Sequence, residues 1–153
     1  LNFMEGLYMR IEEKKREIEN YLKEFRQIVP SDFETYTNDF KTRAACERYF
    51  EKVVEAIVDL AVLIIKEHDL RAPESDKETM DILAEAGIIS ERLATRLKEA
   101  KGMRNIISHQ YGKVDNEIVF ESISQELQND AEEFVDRINN MKKAKKKIYG
   151  QKD

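Results

Sequence analysis

The stretch Val53-Val54-Glu55-Ala56-Ile57-Val58-Asp59-Leu60-Ala61-Val62-Leu63-Ile64-Ile65 decides the fold of this chain. Every residue in it except Glu55 and Asp59 is apolar. A helix that is apolar on nearly every side is buried on most of its sides. We therefore expect a long central helix over about residues 39–68, with the other elements packed around it.

Glu55 and Asp59 are four residues apart and so share one face of this predicted helix. Burying an unpaired charge costs several kcal/mol, so both carboxylates need a partner or water. Two interpretations are open: a solvated or structurally paired stripe, or a pair that orients Arg104 or lines a cleft. No histidine or third acid stands at matching spacing nearby, so we predict no metal site.

Hydrophobic periodicity and capping residues predict further helices on both sides of the central one. They cover residues 9–29, a short piece from Ser31 to about Tyr36, Ser75 to Gly87, Ser90 to Tyr111 and about residues 116–148. Residues 1–8 are expected to be flexible, and residues 142–153 form a basic tail. Gly102, inside a predicted helix, is expected to permit close packing or a slight bend. The resulting fold class is all-α, an antiparallel four- to five-helix bundle with a long central helix.

The composition of the chain agrees with this fold class. Its 153 residues suit a single domain over residues 1–153, and 41% hydrophobic and 37% charged residues, with five Gly and two Pro, favour helices over sheet. The net charge of −5 argues against a surface that binds nucleic acid everywhere by counterion release. Any contact with nucleic acid is therefore expected to be local.

Cellular location is inferred from cysteine usage and from missing signals. The single Cys46 cannot form an internal disulfide and stands in an apolar helical pattern, which is typical of a small buried hydrophobe in a reducing compartment. Residues 1–8 do not resemble a secretion signal, and no segment has the roughly 18 apolar residues of a membrane span. We expect a cytoplasmic protein without membrane contact.

The residue types that chemistry requires are concentrated in Arg104-Asn105-Ile106-Ile107-Ser108-His109-Gln110-Tyr111. With Arg104 taken as zero on a helical wheel, Asn105 lies at about 100° and His109 at about 140°. Ser108 is closer to Arg104, at about 40°. One side of this helix is thus polar, while the two isoleucines lie on the other. From spacing alone, a polar stripe facing solvent is the simpler interpretation.

Arginine and histidine are suited to RNA cleavage without a metal ion. Histidine acts as base or acid near neutral pH, which contributes roughly 10²–10⁴-fold, and arginine binds phosphate oxygens through two donors at once. The Asn105 amide is placed to orient the imidazole or the phosphate. Because Arg104 and His109 are about 140° apart on the wheel, they meet only if their side chains converge or a second copy completes the site. This favours a homodimer.

Arg104, His109 and Tyr111 match the signature R-x4-H-x-Y, and the chain resembles the HepT-like HEPN toxin family over roughly residues 35–140. The resemblance implies a HEPN-like bundle that pairs as a homodimer. It also implies a metal-independent endoribonuclease toxin of a type II toxin–antitoxin system, with no cofactor. Arg104 and His109 are then the catalytic pair, and we assign Asn105 and Ser108 as supporting residues.

The same resemblance implies a partner for Tyr111. An MNT-type nucleotidyltransferase antitoxin is expected to modify its hydroxyl with adenylate and so silence the toxin. Phosphates added beside Arg104 would occupy the cation and repel RNA.

Two further functions stay open at this point. One is a non-catalytic HEPN module that binds a nucleotide or a partner protein, and the other is a purely structural helical adaptor. The lysines between Lys142 and Lys147 are by default a solvated helix end, although they also suit RNA phosphates.

Overall fold

Helices account for nearly all of the chain that the computed structural model describes, which is residues 2–109 and 115–149, with side chains as far as Met141. In chain order they are α1 (Phe3–Ile28), α2 (Phe33–Asn38), α3 (Phe40–Glu67), α4 (Asp76–Glu85), α5 (Glu91–His109), α6 (Asn116–Glu121) and α7 (Leu127–Tyr149). One π-helical turn (Ser122–Glu126) joins α6 to α7. Within those described residues there is no strand, so the predicted all-α class is confirmed.

The centre of the bundle is α3, as the apolar stretch predicts. It packs against α1, α2, α4, α5 and α7. Between Val53 and Ile65 only Glu55, Asp59 and Val62 are not buried. Even so, none of the described helices combines the length and the apolarity that crossing a bilayer requires.

Neighbouring long helices run antiparallel. Along α1 and α3, the Tyr49 hydroxyl donates to Glu24, and Lys14 Nζ lies 3.6 Å from Asp59 Oδ2. Residue numbers therefore rise on one helix as they fall on the other. Short connections produce this arrangement, since a chain that turns back after a few residues places successive helices side by side in opposite directions.

The predicted number of four to five helices agrees with the number of long helices in the described residues, which is five. The helices with at least ten residues are α1 (26 residues), α3 (28), α4 (10), α5 (19) and α7 (23). The short α2 and α6 pack against each other at one side of the bundle. Here Phe120 of α6 contacts Tyr36 of α2, with ring centroids 5.3 Å apart.

The first helix starts earlier than its hydrophobic pattern predicts. α1 begins at Phe3 rather than at residue 9, because Asn2 forms a complete capping box with Glu5. The Glu5 amide donates to Asn2 Oδ1 at 2.8 Å, and the Asn2 amide donates to Glu5 Oε2 at 3.3 Å. Residues 3–8 are therefore helical, although large apolar side chains there, such as Phe3, are exposed.

Two other local predictions need correction. The cap of α2 is Asp32 rather than Ser31, since Asp32 Oδ1 accepts from the Thr35 amide at 2.8 Å. Of the two alternatives for Gly102, close packing is not found, and a slight bend stays a prediction. The nearest atom to a Cβ built there is the flexible Lys77 Nζ, at 3.9 Å. Gly87, by contrast, has a φ of +74° and ends the α4 region as predicted, because glycine adopts that conformation without strain.

Candidate active site on helix α5

The polar motif occupies the last two turns of α5. The helix is anchored by its buried residues, which are Leu93, Ala94, Leu97 and Ile107. It ends at His109, so the motif from Arg104 to His109 lies within one regular helix. The directions of its side chains are therefore set by helical geometry.

Arg104 points toward the central helix and is held there by Glu55. Its Nη2 donates to Glu55 Oε1 at 2.5 Å, and its Nη1 lies 3.5 Å from Asn105 Oδ1. The Arg104 side chain is only 22% exposed, and that of Glu55 is 42% exposed. Because a guanidinium has five N–H donors, these two contacts leave donors unused. Arg104 is thus a fixed cation that can still bind an anion.

Two buried polar atoms in this region have no hydrogen-bond partner among the described residues. They are Arg104 Nε and, one helical turn later, Ser108 Oγ. A buried polar group without a partner costs about 1–3 kcal/mol. This side of α5 therefore carries two hydrogen-bonding atoms that the packing of the described residues leaves unpaired.

His109 lies about 140° round α5 from Arg104, and Asn105 lies between the two. The side chains of His109 and Asn105 are exposed, whereas Ser108 is half-buried. The angle of about 140° between Arg104 and His109 follows from their separation along the helix. One chain thus brings Arg104, Glu55 and Asn105 into contact but presents the imidazole of His109 separately, to solvent.

Asp59 does not accompany Glu55. Its side chain is 62% exposed and lies near Lys14, with no contact to Arg104. It lines an open groove between α1 and α3, together with Arg10 and Lys66. The two carboxylates of the central helix therefore have different surroundings: Glu55 holds the guanidinium, and Asp59 is a solvated groove residue.

Several residues singled out from the sequence lie outside the described part of the chain. They include Tyr111, Gly112 and the side chains between Lys142 and Lys147. Where side chains are described, no group of three or more His, Cys, Asp or Glu residues is placed to hold a metal ion. Cys46 is fully buried, as predicted, and burial raises the pKa of its thiol to about 11.

Sequence reasoning missed a cavity beside the motif. It has a volume of about 220 Å³ and lies between α5, the π-helical turn and α7, where Arg96 pairs with Asp130. The pair joins residues 34 positions apart, so no local spacing predicts it. One signal was present: on the helical wheel Arg96 falls within about 60° of Leu93 and Ala100, on the buried side of α5.

Comparison with known proteins finds sequences similar to this chain among ribonucleases. Residues 18–138 match the family described as ribonuclease HepT-like. The mRNA nuclease HepT of Shewanella oneidensis is 28% identical over 121 residues, which are 79% of this chain and 90% of that protein. The tRNA nuclease HepT of Aphanizomenon flos-aquae is 27% identical over 109 residues, which are 71% of this chain and 72% of that protein.

Solved structures show the same likeness. The tri-AMPylated HEPN toxin of Shewanella oneidensis, solved in complex with its MNT antitoxin, superposes with a TM-score of 0.78 at 26% identity, covering 92% of this chain and 99% of that chain. A toxin–antitoxin complex with AMP-PNP also reaches a TM-score of 0.78, at 27% identity, covering 85% of this chain and 97% of that chain.

The unpaired Ser108 hydroxyl leads to a prediction about stability. Ser108→Ala is expected to raise the free energy of unfolding by about 1 kcal/mol, because it removes a buried polar group without a partner and improves helix propensity. Urea denaturation measures this change. Ser124→Ala is the control, since the Ser124 hydroxyl donates to Glu121 O at 3.3 Å and should give no such gain. A loss of stability for Ser108→Ala would show that this hydroxyl has a partner after all.

Proposed function

This chain belongs to the HepT-like ribonuclease family, and on that basis we propose that it is an endoribonuclease toxin that cleaves RNA without a metal ion, using Arg104 and His109. The observation that carries the proposal is the contact between Arg104 and Glu55. It holds a guanidinium with unused donors on the same helix as an exposed histidine. Arginine and histidine are the cation and the proton carrier that the reaction needs.

The proposed reaction is a transesterification within the RNA strand. A base removes the proton of a 2′-hydroxyl, the 2′-oxygen bonds to the neighbouring phosphorus, and the bond from phosphorus to the 5′-oxygen breaks. An acid gives a proton to that 5′-oxygen, which leaves a 2′,3′-cyclic phosphate and a 5′-hydroxyl. His109 suits these proton transfers because imidazole titrates near neutral pH. Arg104 suits the charge on the phosphate oxygens.

We propose that the active form is a homodimer. The motif of each chain contains one histidine, His109, whereas the reaction needs a base and an acid on opposite sides of the phosphorus. In one chain, moreover, Arg104 turns toward α3 while His109 faces solvent. A two-fold pair of chains would bring two guanidiniums and two imidazoles to one groove. RNA bound there would meet local positive charge, although the net charge of each chain is −5.

Three neighbours have supporting roles in this proposal. Glu55 is a positioning residue, because it restrains Arg104 without using all its donors. Asn105, exposed beside Arg104, is placed to orient the phosphate or the imidazole. Ser108 adds an unsatisfied hydroxyl one turn after Arg104.

An MNT-type nucleotidyltransferase is the proposed antitoxin. The support is that a similar toxin was solved tri-AMPylated and in complex with its MNT antitoxin. We propose that the Tyr111 hydroxyl attacks the α-phosphate of ATP, that pyrophosphate leaves, and that a base of the antitoxin takes the proton. The attached phosphate would then compete with RNA for the Arg104 guanidinium.

Cleavage assays test the catalytic pair. His109→Ala is expected to lower the rate of RNA cleavage by roughly 10²–10⁴-fold, and Arg104→Lys by about 10²-fold or more, because each removes a group that acts on the reacting atoms. The assay follows a labelled RNA with a metal chelator present, and the product ends are identified by mass. The chain's other histidine provides the control, His68→Gln, which should cleave at the wild-type rate.

Wild-type protein that binds RNA without cutting it would contradict the proposal. It would instead favour the non-catalytic HEPN module. Activity that chelator abolishes would overturn the metal-independent mechanism, while leaving a ribonuclease.

The role of Glu55 predicts a change in turnover rather than in substrate binding. Glu55→Gln is expected to lower kcat by between about 10- and 100-fold, because a small misplacement of a catalytic group is costly, while KM changes little. Glu55→Asp should recover part of the loss. The control is Glu51→Gln on the same helix, where the carboxylate pairs with Arg48 at 3.5 Å. Equal losses at Glu51 and Glu55 would reduce the role of Glu55 to general stability.

Intact mass tests the modification. After co-expression with an MNT-type nucleotidyltransferase, the wild-type chain is expected to gain adenylate additions that fragment analysis maps to Tyr111. Tyr111→Phe should gain none and should stay toxic in the presence of the antitoxin. Adenylate found on another residue would contradict the assignment.

A further inference from the structure

The cavity of about 220 Å³ beside α5 has features of a binding site that the cleavage chemistry does not use. Two of its lining residues, Ser122 and Glu126, are the first and last residues of the π-helical turn. A single π-helical turn within an α-helix is rare and often occurs at a functional site. Another wall residue, Met103, immediately precedes Arg104. The cavity therefore adjoins the proposed active site along the same helix.

Arg96 supplies fixed donors to this cavity. Its Nε donates to both oxygens of Asp130, at 2.8 and 3.0 Å, and the Asp130 side chain is only 8% exposed. This hydrogen bond, together with the charges of Asp130, Glu126 and Glu99, raises the pKa of Arg96. Neither Nη group of Arg96 has a hydrogen-bond partner among the described residues. The guanidinium is thus locked at one edge and has its two Nη groups available for a ligand.

The other polar groups of the cavity are mainly acceptors. Glu99 and Glu126 are exposed carboxylates that line it, and the half-buried Ser122 also lines it. The remaining walls are apolar, with Phe50, Ala100, Met103 and Leu127 among them. A ligand with a flat apolar face and a polar edge suits such walls.

The charged side chains that line the cavity exclude some classes of ligand. One guanidinium faces three carboxylates, counting Asp130, so the net negative charge disfavours a phosphate group. A lysine or arginine side chain of a partner protein has no acceptor to offer, so it would leave the Arg96 Nη donors unpaired. The volume lies below the roughly 300–1,000 Å³ of pockets for drug-sized ligands, which suits a single small ring system. A neutral, planar ring with both donors and acceptors fits these limits.

We propose that this cavity binds a guanine base of the RNA strand and gives cleavage a preference for sites next to a guanosine. Guanine carries two adjacent acceptors, O6 and N7, which an arginine binds through two donors. It also carries two adjacent donors, N1–H and the N2 amino group, which a carboxylate such as Glu126 accepts. Arg96 and Glu126 thus match its two edges. The proposal rests on the proposed ribonuclease function, since it names the sequence that the same site selects.

Nucleoside binding tests the cavity without relying on activity. The probe is guanosine, which has no phosphate to bind Arg104, compared with adenosine and cytidine and followed by amide chemical shifts of the full chain. Guanosine is expected to shift residues around Ala100 and Ser122 and to bind at least about tenfold more tightly than the other two. Glu126→Gln should weaken guanosine binding about tenfold or more, since it removes an acceptor.

The matched control is Glu121→Gln. Glu121 is exposed, directly precedes the π-helical turn and does not line the cavity. This variant should bind guanosine and cleave RNA as the wild type does. Because Glu126 is also exposed, its substitution leaves the folded core intact.

Cleavage mapping on an RNA of mixed sequence completes the test. The wild type is expected to cut mainly beside guanosines, and Glu126→Gln should distribute its cuts more evenly among the bases. RNA cleaved without a preference for guanosine, together with no guanosine binding, would overturn the cavity proposal and leave the nuclease intact. Guanosine binding in a chain that cuts no RNA would instead overturn the nuclease and retain the cavity. Shifts caused by methylguanidinium but not by guanosine would identify a docking pocket for a basic side chain and would also overturn the proposal.

Discussion

The burial of α3 on nearly every side is the constraint on which the rest of the structure depends. A helix with so few polar faces is stable in water only when neighbouring helices cover it, so α1, α5 and α7 must surround it. The same burial limits where its carboxylates can lie, because an unpaired charge cannot enter the core. Glu55 therefore meets Arg104 at the rim of the bundle, and Asp59 stays in a solvated groove. Formation of the core thus also fixes the position of the Arg104 guanidinium.

Helical geometry sets the second constraint. Arg104 turns inward to Glu55, while His109 on the same helix faces solvent. A rigid helix fixes the angle between the two side chains, and rotation of the whole of α5 would expose Ile107, which is only 6% exposed. The guanidinium and the imidazole are therefore held apart in one chain. This is why the proposed reaction needs a second copy, and why the cation is pre-positioned even in the isolated chain.

The long C-terminal helical run illustrates how sequence and structure diverge. Its hydrophobic pattern predicts one helix from about residue 116 to 148, and the chain is indeed helical over residues 116–149, but with a π-helical turn inside. The buried residues Val119, Ile123, Leu127 and Ala131 recur every four residues. A period of four is longer than the α-helical 3.6, so a local underwinding of the helix was visible in the sequence. The cavity that this turn borders was not visible, because its walls come from five elements, α3, α5, α6, the π-helical turn and α7.

The sequence by itself determined the helical class, the central position of α3 and the residues of the motif, because these follow from local periodicity and spacing. It also suggested that Glu55 orients Arg104, but it could not separate Glu55 from Asp59, which share one face of α3. Only the tertiary structure decided that Glu55 contacts Arg104, that Asp59 faces Lys14, and that Arg96 meets Asp130 beside a cavity. Such pairs depend on how helices pack across the bundle, and packing joins residues whose distance along the chain carries no signal.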